Sequence, residues 1–375
     1  MNATSRREFL ERTGTLILGG LTGIAVARAA TPLTRDTGPL DLGAAVRPAP
    51  KATRFLDENF YIWCGSVTRT ADGKCHMYYS RWPKVLGHDA WVTHSEVAYA
   101  VADDLFGPFR HVNVALPRRD PARWDGNVTH NPNIVRIGDK FCLYYMGNRG
   151  DGKSYWIHRN NQRVGVAIAP DPRGPWQRFD RPIVDVSSEQ RAFDSLCTTN
   201  PAACIRPDGS VLLIYKAVTD NGTPRGGRVR FGAATAAGPE GPYFKSTGEV
   251  FEPTLAHREA WMVAEDPFVW YSRLYGERYY ALSRDVVGMF TGAVGGITLL
   301  ESHDGLVWRA AAHPAVVGKD FAWADGSRSG TKLERPQLYI DEAEIPRVLY
   351  GAVDVNQPSH RSHSFNVAIP LEVRP

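Results

Sequence analysis

Hydrophobic and aromatic residues in this chain cluster in short runs separated by turn residues, a pattern of many short strands rather than long helices. His76-Met77-Tyr78-Tyr79, Cys142-Leu143-Tyr144-Tyr145, Leu212-Leu213-Ile214-Tyr215 and Tyr279-Tyr280-Ala281-Leu282 are such runs. Each follows a tight-turn pair: Asp72-Gly73, Gly138-Asp139, Asp208-Gly209 or Gly276-Glu277. These pairs suit two-residue hairpins, so each run reads as the second strand of an antiparallel pair. A third strand follows, as in Val164-Gly165-Val166-Ala167-Ile168 and Phe231-Gly232-Ala233-Ala234. It ends on Gly107-Pro108-Phe109, Gly174-Pro175-Trp176 or Gly241-Pro242-Tyr243, and Asp304-Gly305-Leu306-Val307-Trp308 takes that place in the fourth unit.

The first strand of each unit carries its own marker. His130-Asn131-Pro132-Asn133-Ile134, Thr199-Asn200-Pro201-Ala202-Ala203, Glu265-Asp266-Pro267-Phe268-Val269 and Glu334-Arg335-Pro336-Gln337-Leu338 align, with proline steps of 69, 66 and 69. A step of 67 back from Pro132 reaches Gly65 in Trp63-Cys64-Gly65-Ser66-Val67, which makes five units. A twisted sheet of three or four strands cannot bury both faces alone, whereas five packed radially can. The expected fold is therefore all-β, a five-bladed β-propeller over residues 53–375. The last unit has strands near 337–340, 348–353 and 365–369, and residues around Thr53 to Asn59 are expected to complete a blade and close the ring.

The N-terminus reads differently. Ser5-Arg6-Arg7-Glu8-Phe9-Leu10 is a twin-arginine pattern, followed by an apolar stretch from Leu16 to Val26 and by Ala27-Arg28-Ala29. These predict a twin-arginine signal peptide over 1–30, and export to the periplasm or beyond. Residues 31–52, Pro-rich from Thr31 to Pro50, read as a linker that docks on the fold. A net charge of +4 over 375 residues, with no dense Lys/Arg run, gives no sign of a nucleic-acid partner. No membrane association is expected after signal cleavage. Five cysteines without a C-x-x-C pair suggest buried thiols rather than a disulfide scaffold or a zinc site.

Innermost strands of a propeller line its channel, so their first residues ring one mouth. Here that ring holds Trp63, His130, Thr199, Glu265 and Glu334, and one step deeper Cys64, Asn131, Asn200, Asp266 and Arg335. Asp125 and Asp194 each lie seven residues before a marker proline. Divergent polar residues at equivalent positions suit an asymmetric ligand. Converging carboxylates are what glycosidic cleavage needs, one protonated to donate and one ionised. Crowding them raises at least one pKa. Glu265, Glu334, Asp194 and Asp125 are the candidates. Asp125 and Asp194 read equally as turn caps, and Asp266 equally as a structural partner of Arg335. Arg81, Lys216 and Arg284 end second strands, with Trp82 beside Arg81 and with His94 in the excursion Trp91 to Glu96. Such cations suit anionic groups, and tryptophans suit the apolar face of a sugar. The histidines lack ligand spacing, so no metal or cofactor is expected beyond a structural divalent cation that the channel could take.

The Asn-Pro and Glu-Asp-Pro strand starts and the Gly-Pro-Trp ends resemble the five-bladed propeller glycosidases, glycoside hydrolase families 43, 62, 32, 68, 117 and 130, over about residues 55–370. That resemblance implies two aspartates and a glutamate around the channel. It makes Glu265 the proton donor, Asp194 the modulator, and Asp125 or Asp57 the base. The sequence departs from the pattern in the first unit, where Trp63-Cys64-Gly65 replaces the expected aspartate. The expected activity is exo-acting hydrolysis of a plant or algal oligosaccharide. The alternatives are a glycoside phosphorylase, with Arg81, Lys216, Arg284 and Arg335 around phosphate, and a non-catalytic sugar-binding propeller.

Overall fold

The predicted hairpins form where the turn pairs place them. Gly73, Gly138, Gly209 and Gly276 take positive φ values of 84, 63, 84 and 86°, a conformation that costs a residue without a Cβ little. The computed structural model describes residues 38–355 and 363–374, and the twin-arginine segment lies outside them. Blade I comprises β1 (Phe60–Arg69), β2 (Cys75–Pro83), β3 (Glu96–Ala102) and β4 (Arg110–Leu116). Blade II has β5 (Val128–Ile137), β6 (Lys140–Asn148), β7 (Arg163–Ala169) and the short β8 (Gln177–Arg178). Blade III has β9 (Cys197–Ile205), β10 (Val211–Val218), β11 (Val229–Ala236) and β12 (Phe244–Val250). Blade IV has β13 (Ala264–Ser272), β14 (Arg278–Asp285), β15 (Ile297–Ser302) and β16 (Arg309–Val317). Blade V has β17 (Leu333–Ile340), β18 (Pro346–Val355) and β19 (His363–Pro370). Every neighbouring pair is antiparallel and in sequence order.

Five apolar seams tie the blades into a ring. Side chains alternate across a strand, so one strand feeds two seams. In β6, Cys142 and Tyr144 pack toward blade III with Leu213 and Tyr215. Leu143 and Tyr145 pack toward blade I with Tyr78 and Val97. Further seams join blades III and IV through Ile214 and Leu300, and blades IV and V through Leu299 and Leu349. The last joins V back to I through Tyr350 and Met77. Each fully buried Leu or Tyr of this kind contributes about 1.5–3 kcal/mol.

The N-terminal segment closes the ring more sparingly than a full strand would. Phe55 and Asn366 exchange backbone hydrogen bonds of 2.8 and 3.0 Å, and Val46 bridges Leu371. Leu40, Leu42 and Ala49 are buried in the seam of blades IV and V, and the helix α1 (Leu42–Ala45) lies between them. All five cysteines are free and buried. No described helix is long and apolar enough to cross a membrane.

Candidate functional site

The marker repeat is a backbone device. In every innermost strand the register slips at the marker: Trp63/Ser66, His130/Asn133, Thr199/Ala202, Glu265/Phe268 and Glu334/Gln337 bracket two residues facing one on the partner strand. This is a β-bulge. Its first residue is left-handed in all five blades, with φ of 57, 53, 47, 56 and 53° at Cys64, Asn131, Asn200, Asp266 and Arg335. Asn and Asp adopt that conformation readily, but Cys64 and Arg335 need outside support.

That support is a ring of side chains around the channel, hydrogen-bonded in turn from Cys64 to Arg335. The Cys64 thiol donates to Asn131 Oδ1 at 2.9 Å, and Asn131 Nδ2 donates to Asn200 Oδ1 at 2.6 Å. Asn200 donates in turn to Asp266. Arg335 donates to Asp266 at 3.0 Å, and its charge acts on the Cys64 thiol. Burial pushes the Cys64 thiol far above its ordinary pKa, so it stays protonated. The Asp266 carboxylate, which a channel cation would otherwise have to balance, is matched by Arg335. Among the described residues no three of His, Cys, Asp and Glu converge as a metal set.

Above this floor opens a cavity of about 320 Å³. Trp63, His130, Thr199, Glu265 and Glu334 all line it, as their equivalent strand positions predict. Trp82, Asn131, Asn200, Lys216, Asp266 and Arg284 join them. Glu265 Oε1 accepts from Lys216 Nζ at 3.1 Å and Oε2 from Arg284 Nη1 at 2.8 Å. The same Nη1 donates to Glu334 Oε1 at 2.7 Å, and Lys332 Nζ lies 2.8 Å from that oxygen. The lengths 2.8 and 2.7 Å through one nitrogen bound the separation of Glu265 Oε2 and Glu334 Oε1 at 5.5 Å. Glu334 Oε2 has no such partner among the described residues.

The two glutamates are pushed apart in acidity. Burial raises the Glu265 pKa, but Lys216 and Arg284 outweigh it and hold the carboxyl below the ordinary range. Burial and then the Glu265 charge raise Glu334 above it, against Lys332 and Arg284. Opposite them, His130 is held neutral: burial, then the charges of Arg335 and His88, push its pKa well down. Its Nδ1 pairs with Ser95 Oγ at 2.7 Å, and its ring stacks on Trp91 with centroids 5.0 Å apart.

Six predicted site residues lie elsewhere. Asp125 is fully buried among Arg119, Arg178 and the Tyr145 hydroxyl. Asp194 is buried against Lys245 and Tyr215. Asp57 caps a turn, accepting from the backbone of Asn59 and Phe60. His94 bonds Thr93 beside the helix α2 (Trp91–His94), and Arg335 sits in the axial ring. Arg81 pairs with Glu96 because the registers differ by one: Ser80, not Arg81, opposes Trp63 as Lys216 opposes Thr199 and Arg284 opposes Glu265. The proposed phosphate cradle of four cations therefore does not assemble.

The cavity also takes residues that the repeat does not mark. His88 comes from the excursion after β2 and Trp91 from the helix α2 that follows it, and Tyr155, Arg159 and Gln162 come from the helix α3 (Tyr155–Asn160) and its end. Trp261 and Lys332 precede β13 and β17. Lys332 carried a signal, since it stands two residues before Glu334 and strand side chains two apart share a face.

No family model matches the sequence. An extracellular endo-α-(1→5)-L-arabinanase of Bacillus subtilis is 23% identical over 194 residues, an alignment that takes in 50% of this chain and only 37% of that protein. Among solved structures, Zg3597, a family 117 glycoside hydrolase of Zobellia galactanivorans, superposes with a TM-score of 0.56 at 17% identity, covering 84% of this chain and 85% of that one. A thermostable family 43 glycoside hydrolase gives 0.56 at 12% identity, covering 87% of the present protein and 92% of the other. At these identities the likeness is one of fold: the five-bladed propeller is shared with glycoside hydrolases.

Proposed function

We propose that this protein is an exported glycoside hydrolase that acts on the end of an oligosaccharide, with Glu334 as proton donor and Glu265 as the ionised partner. The observation that carries the reading is the bridged glutamate pair. One guanidinium holds two carboxyls, Glu334 buried and Glu265 partly so, whose acidities diverge, and divergent pairs mark acid and base roles. Glu334 Oε2 is the free oxygen from which a proton can pass to the leaving glycosidic oxygen. Glu265 faces the positive charge that develops at the anomeric carbon. Their bridged oxygens, at most 5.5 Å apart, put the two carboxyls within reach of one glycosidic bond, and we read the pair as retaining. Glu265 would then attack that carbon, and Glu334 would deprotonate the water that releases the sugar. These roles reverse the one that the family resemblance implies for Glu265.

Other observations support the rest. A small cavity closed below by the axial ring suits the terminus of a glycan. The arabinanase and the family 117 protein are glycoside hydrolases by name, and the former is extracellular. The twin-arginine pattern fits the same compartment.

A second reading, a sugar-binding propeller without turnover, has one observation in its favour. Glu265, Glu334 and Asp266 are each ion-paired. The Glu265→Gln variant separates the two. Hydrolysis predicts loss of turnover on the order of 10³-fold with an unchanged melting temperature, whereas undiminished release of reducing sugar removes Glu265 from the mechanism. A screen of plant and algal glycans with the unaltered protein supplies the substrate.

A further inference from the structure

The cavity holds more positive charge than its glutamates need. Arg159, Lys216, Arg284 and Lys332 line it, while the Asp266 charge is taken by Arg335 beneath. Lys216, Arg284 and Lys332 hold the two glutamates. Arg159 is left over. Only 8% of it is exposed, yet among the described residues it pairs with no carboxylate. Its one hydrogen bond there goes from Nη1 to the Asn160 amide oxygen at 3.0 Å, and its guanidinium sits 5.9 Å from the Trp156 ring centroid. Gln162, three residues on and 3% exposed, lines the same wall with Nε2 unpartnered. The Arg284 Nε and Trp82 Nε1 donors are buried without partners as well.

Unmatched donors on a buried wall call for an acceptor, and an unmatched guanidinium for an anion. The chemistry sharpens the demand. A glycosyl transition state gains positive charge at the anomeric carbon, and a cation surplus lining the same cavity opposes it. A negative group carried by the sugar removes that opposition. We propose that the sugar bound here carries an anionic oxygen group, a uronosyl carboxylate or a sulfate ester, held by Arg159 and Gln162. This substrate class rests on the glycosidase reading for turnover, but not for binding.

The test uses sugars that differ at C6 alone. Glucuronate, galacturonate and the 6-sulfates of glucose and galactose are titrated calorimetrically into the purified protein beside glucose and galactose. The corresponding aryl glycosides, in both anomeric forms, are assayed for cleavage with and without inorganic phosphate. At least one anionic sugar should bind about 10- to 100-fold more tightly than its neutral counterpart, and whether carboxylate or sulfate wins identifies the source. Arg159→Met should collapse that preference, and Arg159→Lys should restore part of it in a protein of unchanged melting temperature. Selective binding without cleavage of any glycoside defeats the hydrolase reading and leaves this one standing. Equal or stronger binding of the neutral sugars, binding of none, or cleavage that needs free phosphate overturns it.

Discussion

Around one cavity, blades I and II present Trp63, Trp82, Trp91 and His130, whereas blades III to V present Lys216, Glu265, Arg284, Lys332 and Glu334. Both halves stand on the same bulged strand starts with the same left-handed residue. What repeats is the backbone, and what varies is the chemistry it aims inward. The aromatic half offers flat apolar surface, suited to the face of a sugar ring. The charged half offers two carboxyls whose acidities are set by each other and by shared cations, the proton donor and its ionised partner of the proposed reaction. Binding and chemistry are thus expected to separate by blade. Arg159 and Gln162, on blade II's loop, are the place where charge enters the aromatic side.

After Glu265→Gln, the largest expected effect is that of Glu334→Gln. The proposed mechanism needs Glu265 ionised and Glu334 protonated. Rate should therefore climb as pH rises through the lower pKa of the pair and fall as it rises through the upper one. Because burial and the Glu265 charge raise Glu334, the upper limb belongs to it. Glu334→Gln should erase that alkaline fall and slow poor leaving groups by about 10²- to 10⁴-fold, while an activated aryl leaving group retains far more. An alkaline limb that survives the substitution moves the proton donor elsewhere and leaves the charged half without its assigned chemistry.

On the other half, Trp91→Ala removes a ring stacked on His130 at 5.0 Å and 27°. Trp91 also lines the cavity, and loss of its contact with the sugar, about 0.5–1.5 kcal/mol, should raise KM roughly 3- to 10-fold with kcat nearly held. A kcat loss larger than the KM rise would mean that the aromatic side also shapes the transition state, and the division by blade fails.

The same contrast explains what could be read from the sequence. Propeller and blade count were legible because each bulge repeats one backbone pattern at near-constant spacing, marked by Asn-Pro, Asp-Pro or Arg-Pro in four blades and by Cys64-Gly65 in the first. The cavity residues on innermost strands followed from the same register. Asp125 and Asp194 lie outside the cavity, which was not legible because an acid between an aromatic and a small residue looks the same in sequence whether it faces a ligand or, as here, a partly buried Arg or Lys. Arg81 misled by one position of register, which no composition reveals. His88, Tyr155, Arg159 and Trp261 lie in the excursions between strands, Tyr155 and Arg159 on the helix α3, and the paths of these excursions are set by tertiary packing and not by the repeat.

The smallest expected effect tests the point where this sequence leaves the pattern it otherwise resembles. Cys64 stands in blade I at the position of Asp266 in blade IV, where the resemblance leads one to expect an aspartate base. If the thiol is only a ring member, Cys64→Ala should cost about 1 kcal/mol of stability, for the lost bond to Asn131 Oδ1 at 2.9 Å. Alanine meets the same left-handed backbone strain at φ 57°, so no further loss is expected there. Turnover should stay within about twofold, because a buried protonated thiol on the floor neither holds a proton at the anomeric carbon nor carries charge toward it. A tenfold fall in kcat at unchanged melting temperature would return the missing base to blade I. The chemistry would then straddle both halves of the cavity, and Glu265 would no longer be its only ionised partner.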